Sequence, residues 1–384
     1  MDEHVMRTYV RQPEVFVAGH GARITDSEGR EWLDFLGGIA VSALGHGHPR
    51  LSAELADQAQ KVLHVSNLFR NPYTEKVATA LCEHAQMNAV FFTNSGTEAN
   101  ECALKLARKA MRVRGEPDRT GFVALEGGFH GRTMGALSVT SGSKYREPFA
   151  PLIPNVTFVP RNDRAALAAA LATRPAALIL EPIQGEGGIV ELDHDLLRSA
   201  RELCDANGTL LIHDEVQCGT GRTGRFRCGS WSDTTPDILT LAKPLAAGLP
   251  MGACLVRDGL ETTFQPGDHG STFAGGPFVL RAAMVLLEEL DHGLLDNVIA
   301  RGQQFRDGLE RLAADHRVIT AVRGRGLMLG IAMAGAPEFQ KQLYRNGLLT
   351  NCTAGEVVRF LPPYVVTTDD VDAALDVLAR TLRA

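Results

Sequence analysis

Short, unbroken apolar runs recur along this chain and alternate with stretches of helical period. AVFF at 89–92, FVAL at 122–125, VTFVP at 156–160, AALIL at 176–180 and TLLI at 209–212 each lack polar alternation. Such runs read as strands buried on both faces of a parallel sheet. Between them the period lengthens. Residues 51–85 are mostly helical, with Leu51, Leu55, Val62, Val77 and Leu81 in phase; Ala99, Ala103, Leu106 and Ala110 share one helix face; 165–172 is an alanine-rich helix. Strands alternating with helices predict an α/β fold with a mostly parallel sheet.

The two ends of the chain have another pattern. A DSEGRE turn at Gly29 followed by WLDFLGGIAV reads as a hairpin and an edge strand. Beyond the parallel core, Leu295, Val298, Gly302, Phe305, Leu309 and Leu312 mark a long amphipathic helix. VRGRGLMLGIAM then alternates as a half-buried strand, EVVRFLPPYVV breaks at two prolines, and Thr368, Asp369 and Asp370 open a terminal helix packed through Val371, Leu375 and Leu378. A chain of 384 residues is long for one core. The pattern therefore predicts a large domain over 46–285 and a smaller α+β domain built from 1–45 and 286–384.

Chemistry concentrates where the strands end. TLLI runs into His213, Asp214 and Glu215, and in open α/β sheets ligands bind beyond the carboxyl ends of the strands. A carboxylate there is costly to bury without a cationic partner. In LTLAKPLAAGLPMGA a single lysine, Lys243, stands in an apolar, glycine-bearing segment, where a lowered pKa makes it an amine nucleophile toward a carbonyl. An amine and an acid so placed suit pyridoxal phosphate, Lys243 holding the aldehyde and Asp214 the pyridinium proton.

Other segments gain meaning beside this pair. At the end of AVFF a small-residue turn presents the amides of Gly96 and Thr97 at a helix start, which suits a phosphate; the same turn is equally an ordinary helix start capped by Thr97. In EGGFHGRT, Phe129 offers a flat face for a ring and Arg132 a guanidinium for an acid, while plain core and surface arginine are the alternatives and His130 reads as packing. Glu181 and Glu186 follow a strand and fall on the same edge as Asp214. CGTGRTGRF lacks the spacing of a phosphate loop and reads as a mobile loop or subunit contact. Ser271 and Thr272, in a glycine-laden turn, suit a phosphate or carboxylate. His46 and His48 have no third ligand nearby and read as helix-entry packing or hydrogen bonding.

Composition narrows the partners. The net charge of −6 comes with no basic block, so nucleic acid and anionic membrane are not expected. The charged start and the absence of a membrane-length apolar stretch predict a cytoplasmic protein. Seven cysteines without a CxxC pair indicate buried thiols rather than a zinc site or a disulfide framework.

Taken in order, SGTEANE, FHGRT, EPIQGEGG, DEVQCGTGRTG, AKPLAAGLPMGA, HGSTFAGGP and VVRFLPP give nearly the whole chain the look of the class III aminotransferases of fold type I. It most resembles their acetylornithine-using branch. The resemblance implies that Gly96 and Thr97 bind the cofactor phosphate, Phe129 stacks on the ring, Val216 packs on its other face, Gln217 bonds the ring hydroxyl, Asp214 pairs with the ring nitrogen and Lys243 holds the cofactor. It implies that Thr272 reaches the phosphate from the neighbouring subunit of a homodimer with shared active sites. Arg132 and Ser271 become substrate contacts, and Arg359 binds an α-carboxylate with Glu186 as its partner. The implied reaction exchanges amines between acetylornithine and 2-oxoglutarate; carrier-linked lysine precursors, succinylornithine and 4-aminobutyrate are the alternative donors. Some positions depart from the family pattern. Ala246 and Ala247 replace glycines, Pro244 after the lysine is expected to hold it extended and stiffen its loop, a second glycine in GGP replaces asparagine, and Ile39 stands where ornithine-using relatives carry a tyrosine.

Overall fold

The computed structural model describes residues 4–383. Its centre is a seven-stranded sheet. In spatial order the strands are Ala89–Thr93, Gly252–Val256, Ile238–Leu241, Leu210–Asp214, Ala177–Leu180, Phe122–Leu125 and Val156–Val159. The last five pair in parallel, while Gly252–Val256 runs antiparallel to both its neighbours. The first strand therefore points the same way as the parallel five. Four of the six co-directional strands begin their following loop with a residue of interest: Asn94, Glu181, Glu215 and Ala242 all leave the sheet at one edge. Helices cover both faces, with Gly96–Val113 burying Ala99, Ala103, Leu106 and Ala110 as its spacing required.

Two four-stranded sheets stand apart from this one. Ile319–Arg325, Met328–Met333, Val357–Phe360 and Asn351–Thr353 form an antiparallel sheet. Phe16–His20, Arg23–Asp26 and Glu31–Asp34 form the other, and Leu348–Leu349 joins it in parallel, so the two ends of the chain meet.

Three expectations fail locally. The 51–85 stretch is two helices, Pro49–Ala59 and Thr74–Ala85, and Val62 lies in the break with 47% exposure, because its periodic phase is not supported by a core to face. VRGRGLMLGIAM is not one strand. It is a hairpin turning at Gly326, whose φ of +57° and contact with the Thr223 backbone admit no β-carbon. The 218–226 loop is interior rather than mobile: every residue but Arg225 is buried, and the Arg222 guanidinium donates to the carbonyl oxygens of Leu327 and Pro362.

The histidine reading holds. His48 Nδ1 caps its helix by accepting from the Leu51 amide, and His46 Nε2 lies 2.8 Å from Asp34.

Candidate active site

A cavity of about 410 Å³ opens at the carboxyl edge of the central sheet. Gly96, Thr97, Phe129, Arg132, Glu186, Asp214, Val216, Gln217 and Lys243 all line it, although they come from five separate segments. Of the residues the sequence singled out, Ser271, Thr272 and Arg359 do not form its wall. Arg359 sits directly behind it, fully buried, and is tied to two wall residues.

Asp214 ends a strand whose five residues are all buried. Its Oδ2 accepts from Asn100 Nδ2 at 2.7 Å and lies 2.8 Å from His130 Nδ1, and its Oδ1 accepts from the Val216 amide at 3.1 Å. An ionised carboxylate can only accept, so His130 carries its proton on Nδ1. Thr240 donates to Asn100 Oδ1 at 2.8 Å, fixing the amide so that its nitrogen faces Asp214. His130, expected to be mere packing, is thus a direct partner of the acid, and its buried Nε2 has no partner among the described residues. The other acid of the strand end turns elsewhere: Glu215 accepts from the amides of Cys228 and Gly229 at 2.6 and 2.8 Å and ties down that turn.

Lys243 follows the strand Ile238–Leu241 and keeps its remaining exposure toward the cavity it lines. Burial pushes its amine below the ordinary lysine range and the Arg359 guanidinium adds to that, against the pull of Glu186, Glu181 and Asp214. The expected extended backbone is not found. Lys243 has φ +34° and Ala247 φ +48°, the left-handed region that a β-carbon resists, so Ala247 holds a glycine-like turn at a strain of about 1 kcal/mol.

At the other end of the cavity Ser95, not Thr97, caps the helix, accepting from the Glu98 amide at 3.3 Å. Thr97 is released to bond Thr133 Oγ1 at 2.7 Å and to accept from the amides of Arg132 and Thr133 at 3.2 Å. The Gly96 and Thr97 amides belong to a first helical turn, which has no intrahelical acceptors for them.

Glu186 and Arg359 form the tightest charged pair of the site, at 2.6 Å. Arg359 also donates to Gln217 Oε1 at 3.0 Å and Asn351 Oδ1 at 3.1 Å, leaving Nη2 buried without a partner. Burial works to raise the Glu186 carboxyl, but the Arg359 guanidinium outweighs it and holds the group below the usual carboxylate range. Glu181, fully embedded, accepts from the amides of Phe129 at 2.9 Å and Gly185 at 3.1 Å, and burial pushes its carboxyl up to about 7 with Asp214 adding and His130 opposing.

Arg132 stacks over Tyr145 at 4.1 Å and lies 5.4 Å from the Phe129 ring. From the N-terminal segment it is Val41 that lines the cavity; Ile39, 39% exposed at φ +63°, does not. Ser271 is held by Asn94 Nδ2 at 3.0 Å, while Thr272 and Phe273 are exposed.

A family model described as aminotransferase class-III matches residues 6–382. The acetylornithine aminotransferase of Aquifex aeolicus is 42% identical over 381 residues, covering 99% of this chain and 100% of that protein. Among solved structures, the ornithine aminotransferase of Toxoplasma gondii ME49 superposes with a TM-score of 0.94 at 36% identity, covering 99% of this chain and 92% of that one. The N-acetylornithine aminotransferase of Stenotrophomonas maltophilia K279a gives 0.86 at 35% identity, covering 98% and 97%.

Proposed function

The chain belongs to the class-III aminotransferases, a pyridoxal-phosphate family of fold type I, and from that premise we propose that it moves the terminal amine of N2-acetyl-L-ornithine to 2-oxoglutarate. The products are N-acetylglutamate 5-semialdehyde and L-glutamate, and the step belongs to arginine biosynthesis in the cytoplasm. Relatives named for this substrate match over their full length. The observation that carries the reading is the Glu186–Arg359 pair, because it lets one cavity take two unlike donors.

The residues fit pyridoxal phosphate. Amides of Gly96 and Thr97 at a helix start suit its phosphate, and Gly96 has no room for a side chain, since a β-carbon would lie 2.6 Å from Val216 Cγ1. Phe129 and Val216 offer apolar surface for the ring, Gln217 a side-chain amide for its hydroxyl, and Asp214, oriented by Asn100 and His130, a partner for the ring nitrogen. Lys243 holds the group through its amine. When bound, the cofactor supplies the electron sink that transamination needs.

The protein's own groups do the rest. Lys243 Nζ, uncharged at a lower pH than an ordinary lysine, takes the proton from the substrate carbon and returns it elsewhere as general base and acid. Arg132 holds the α-carboxylate of acetylornithine far from the reacting amine, and Ser271 joins it from the second copy described below. During that half-reaction Glu186 neutralises Arg359, which would otherwise be an unpaired buried charge. In the second half-reaction Glu186 moves aside and Arg359, with its spare Nη2, takes the α-carboxylate of glutamate.

Ser271 and Thr272 stand off the cavity wall beside an exposed apolar patch: Leu68 is 86% exposed, Phe69 70% and Phe273 69%. Asn67 ties the two stretches by donating to Ser271 O and Ala274 O at 3.1 Å. A second copy covers this patch and Thr272 reaches the phosphate of that copy, making a homodimer with shared sites. Residues 46–285 act as the cofactor domain, and 1–45 with 286–384 as the smaller domain that brings Arg359.

The test is a set of half-reactions with acetylornithine, ornithine, 4-aminobutyrate and a carrier-linked lysine, followed by the loss of the cofactor's visible absorbance. Acetylornithine is expected to lead by about tenfold or more; a lead by any other donor overturns the assignment.

A further inference from the structure

Arg222 is an isolated charge in the interior. Its side chain is fully buried, it has no carboxylate partner among the described residues, and its Nε and Nη2 meet no acceptor there. Burial pushes the guanidinium below the ordinary arginine range. A cation so placed costs more than an apolar side chain of similar size.

What it supplies is a donor where the backbone lacks one. The strands Met328–Met333 and Val357–Phe360 pair antiparallel, with Gly330 opposite Arg359 and Leu329 opposite Phe360. Two steps further this register sets Leu327 opposite Pro362, and a proline has no N–H to give. Arg222 enters at that point as a strand partner would. Its backbone carbonyl accepts from the Leu327 amide at 3.0 Å, and its Nη1 donates to Leu327 O at 3.1 Å and to Pro362 O. The guanidinium lies over the Tyr364 ring at 4.5 Å, and Tyr364 Oη donates to Thr220 O at 3.0 Å. One loop of the cofactor domain thus grips the chain on both sides of Pro363.

The gripped chain carries Arg359, three residues before Pro362. Arg359 reaches from it to Glu186 and Gln217 at 2.6 and 3.0 Å, and contacts of that length tolerate little displacement of the strand. The amides of Leu361 and Tyr364 donate to Phe35 O and Ala43 O at 2.7 Å each, bonds that stay within 1–45 and 286–384. Arg222 and the Tyr364 hydroxyl tie this backbone across to the other domain.

We infer that Arg222 is a positioning residue for the α-carboxylate of glutamate and 2-oxoglutarate: it sets the strand so that the Arg359 guanidinium meets that carboxylate, and it has no part in binding acetylornithine, whose carboxylate lies at Arg132. This rests on the proposed function, which assigns Arg359 to the second half-reaction.

The test is single-turnover kinetics of both half-reactions on the full-length, cofactor-loaded enzyme. Arg222→Met should raise the glutamate concentration at half-saturation about tenfold, the size of one misaligned charge-assisted contact, with its limiting rate and the acetylornithine half-saturation within about twofold of wild type. Arg222→Lys, which keeps a donor for one carbonyl, should recover part of that loss. Tyr364→Phe is milder, should raise the glutamate value about fivefold, and decides the matter if Arg222→Met does not fold. A general loosening of the fold moves both donors together, so equal rises for glutamate and acetylornithine, or none for either, overturn the positioning role. Arg359→Lys is the reference. If it raises the glutamate value and Arg222→Met does not, the positioning role alone falls; if it leaves glutamate unchanged, the assignment of Arg359 falls and the positioning role with it. Silence of wild type toward acetylornithine overturns the proposed donor and leaves Arg222 to be judged on glutamate, by half-saturation against limiting rate.

Discussion

Arg359 carries one terminal nitrogen more than its partners use: Glu186, Gln217 and Asn351 account for the rest of the guanidinium, and Nη2 is buried and unpaired. A group in that state is held ready for an anion, and Glu186 decides when. Glu186→Ala should raise kcat/KM for glutamate relative to acetylornithine by about tenfold or more, because an unpaired buried arginine costs several kcal/mol when no α-carboxylate meets it. Unchanged selectivity in the two half-reactions would remove the switch. Lys243→Ala should lower kcat by about 10²- to 10⁴-fold, the usual share of a general acid and base, in a coupled glutamate assay. Glu181 gives a pH signature. Its carboxyl is pushed up to about 7, so the folded, cofactor-free protein keeps a proton that the unfolded chain loses in the ordinary carboxylate range. The stability it contributes is full below that range and fades as the pH climbs through about 7. Urea midpoints of the apoprotein should fall over this window in wild type and stay flatter in Glu181→Gln; equal slopes would mean that the group is ionised throughout.

At the scale of elements, the site depends on turns that side chains would obstruct. A β-carbon at Gly131, φ +134°, would lie 2.2 Å from Thr97 Oγ1, and one at Gly185 would lie 2.2 Å from Gln217 Oε1. Both glycines let a wall residue approach the backbone of a neighbouring loop. Away from the site, the helix Leu295–Asp315 touches the hairpin turn through Gly302, where a β-carbon would meet the Gly326 carbonyl carbon at 2.6 Å. That contact is backbone on one side and cannot swing away. Gly302→Ala should destabilise by about 1–3 kcal/mol, seen as a lower urea midpoint at constant slope. Strands and helices were legible in the apolar pattern because burial on both faces demands it, whereas the break after Ala59 and the turn at Gly326 were not, since each depends on what the segment packs against. Ser95 rather than Thr97 as the cap follows the same logic: Thr97 has tertiary partners in Arg132 and Thr133 that local sequence does not display.

At the scale of the molecule, five segments between residues 94 and 251 converge on one sheet edge, and the C-terminal third contributes Arg359 from an antiparallel strand behind them. The exposed patch of Leu68, Phe69 and Phe273 lies beside Thr272. Leu68→Asp combined with Phe273→Asp should therefore turn a dimer into monomers in sedimentation and lower activity with it, the loss easing as protein concentration rises; a monomeric wild type would contradict it. By itself the sequence determined the strand and helix alternation, the edge at which chemistry gathers, and the lysine and acid at its centre, because burial and strand direction are written in the order of apolar and polar residues. Only the tertiary structure decided that His130 and Asn100 hold Asp214, that the 218–226 loop is interior, and that Val41 rather than Ile39 faces the cavity. Those facts concern which side chains meet across segments far apart in the chain, and hydrophobic period carries no information about that distance.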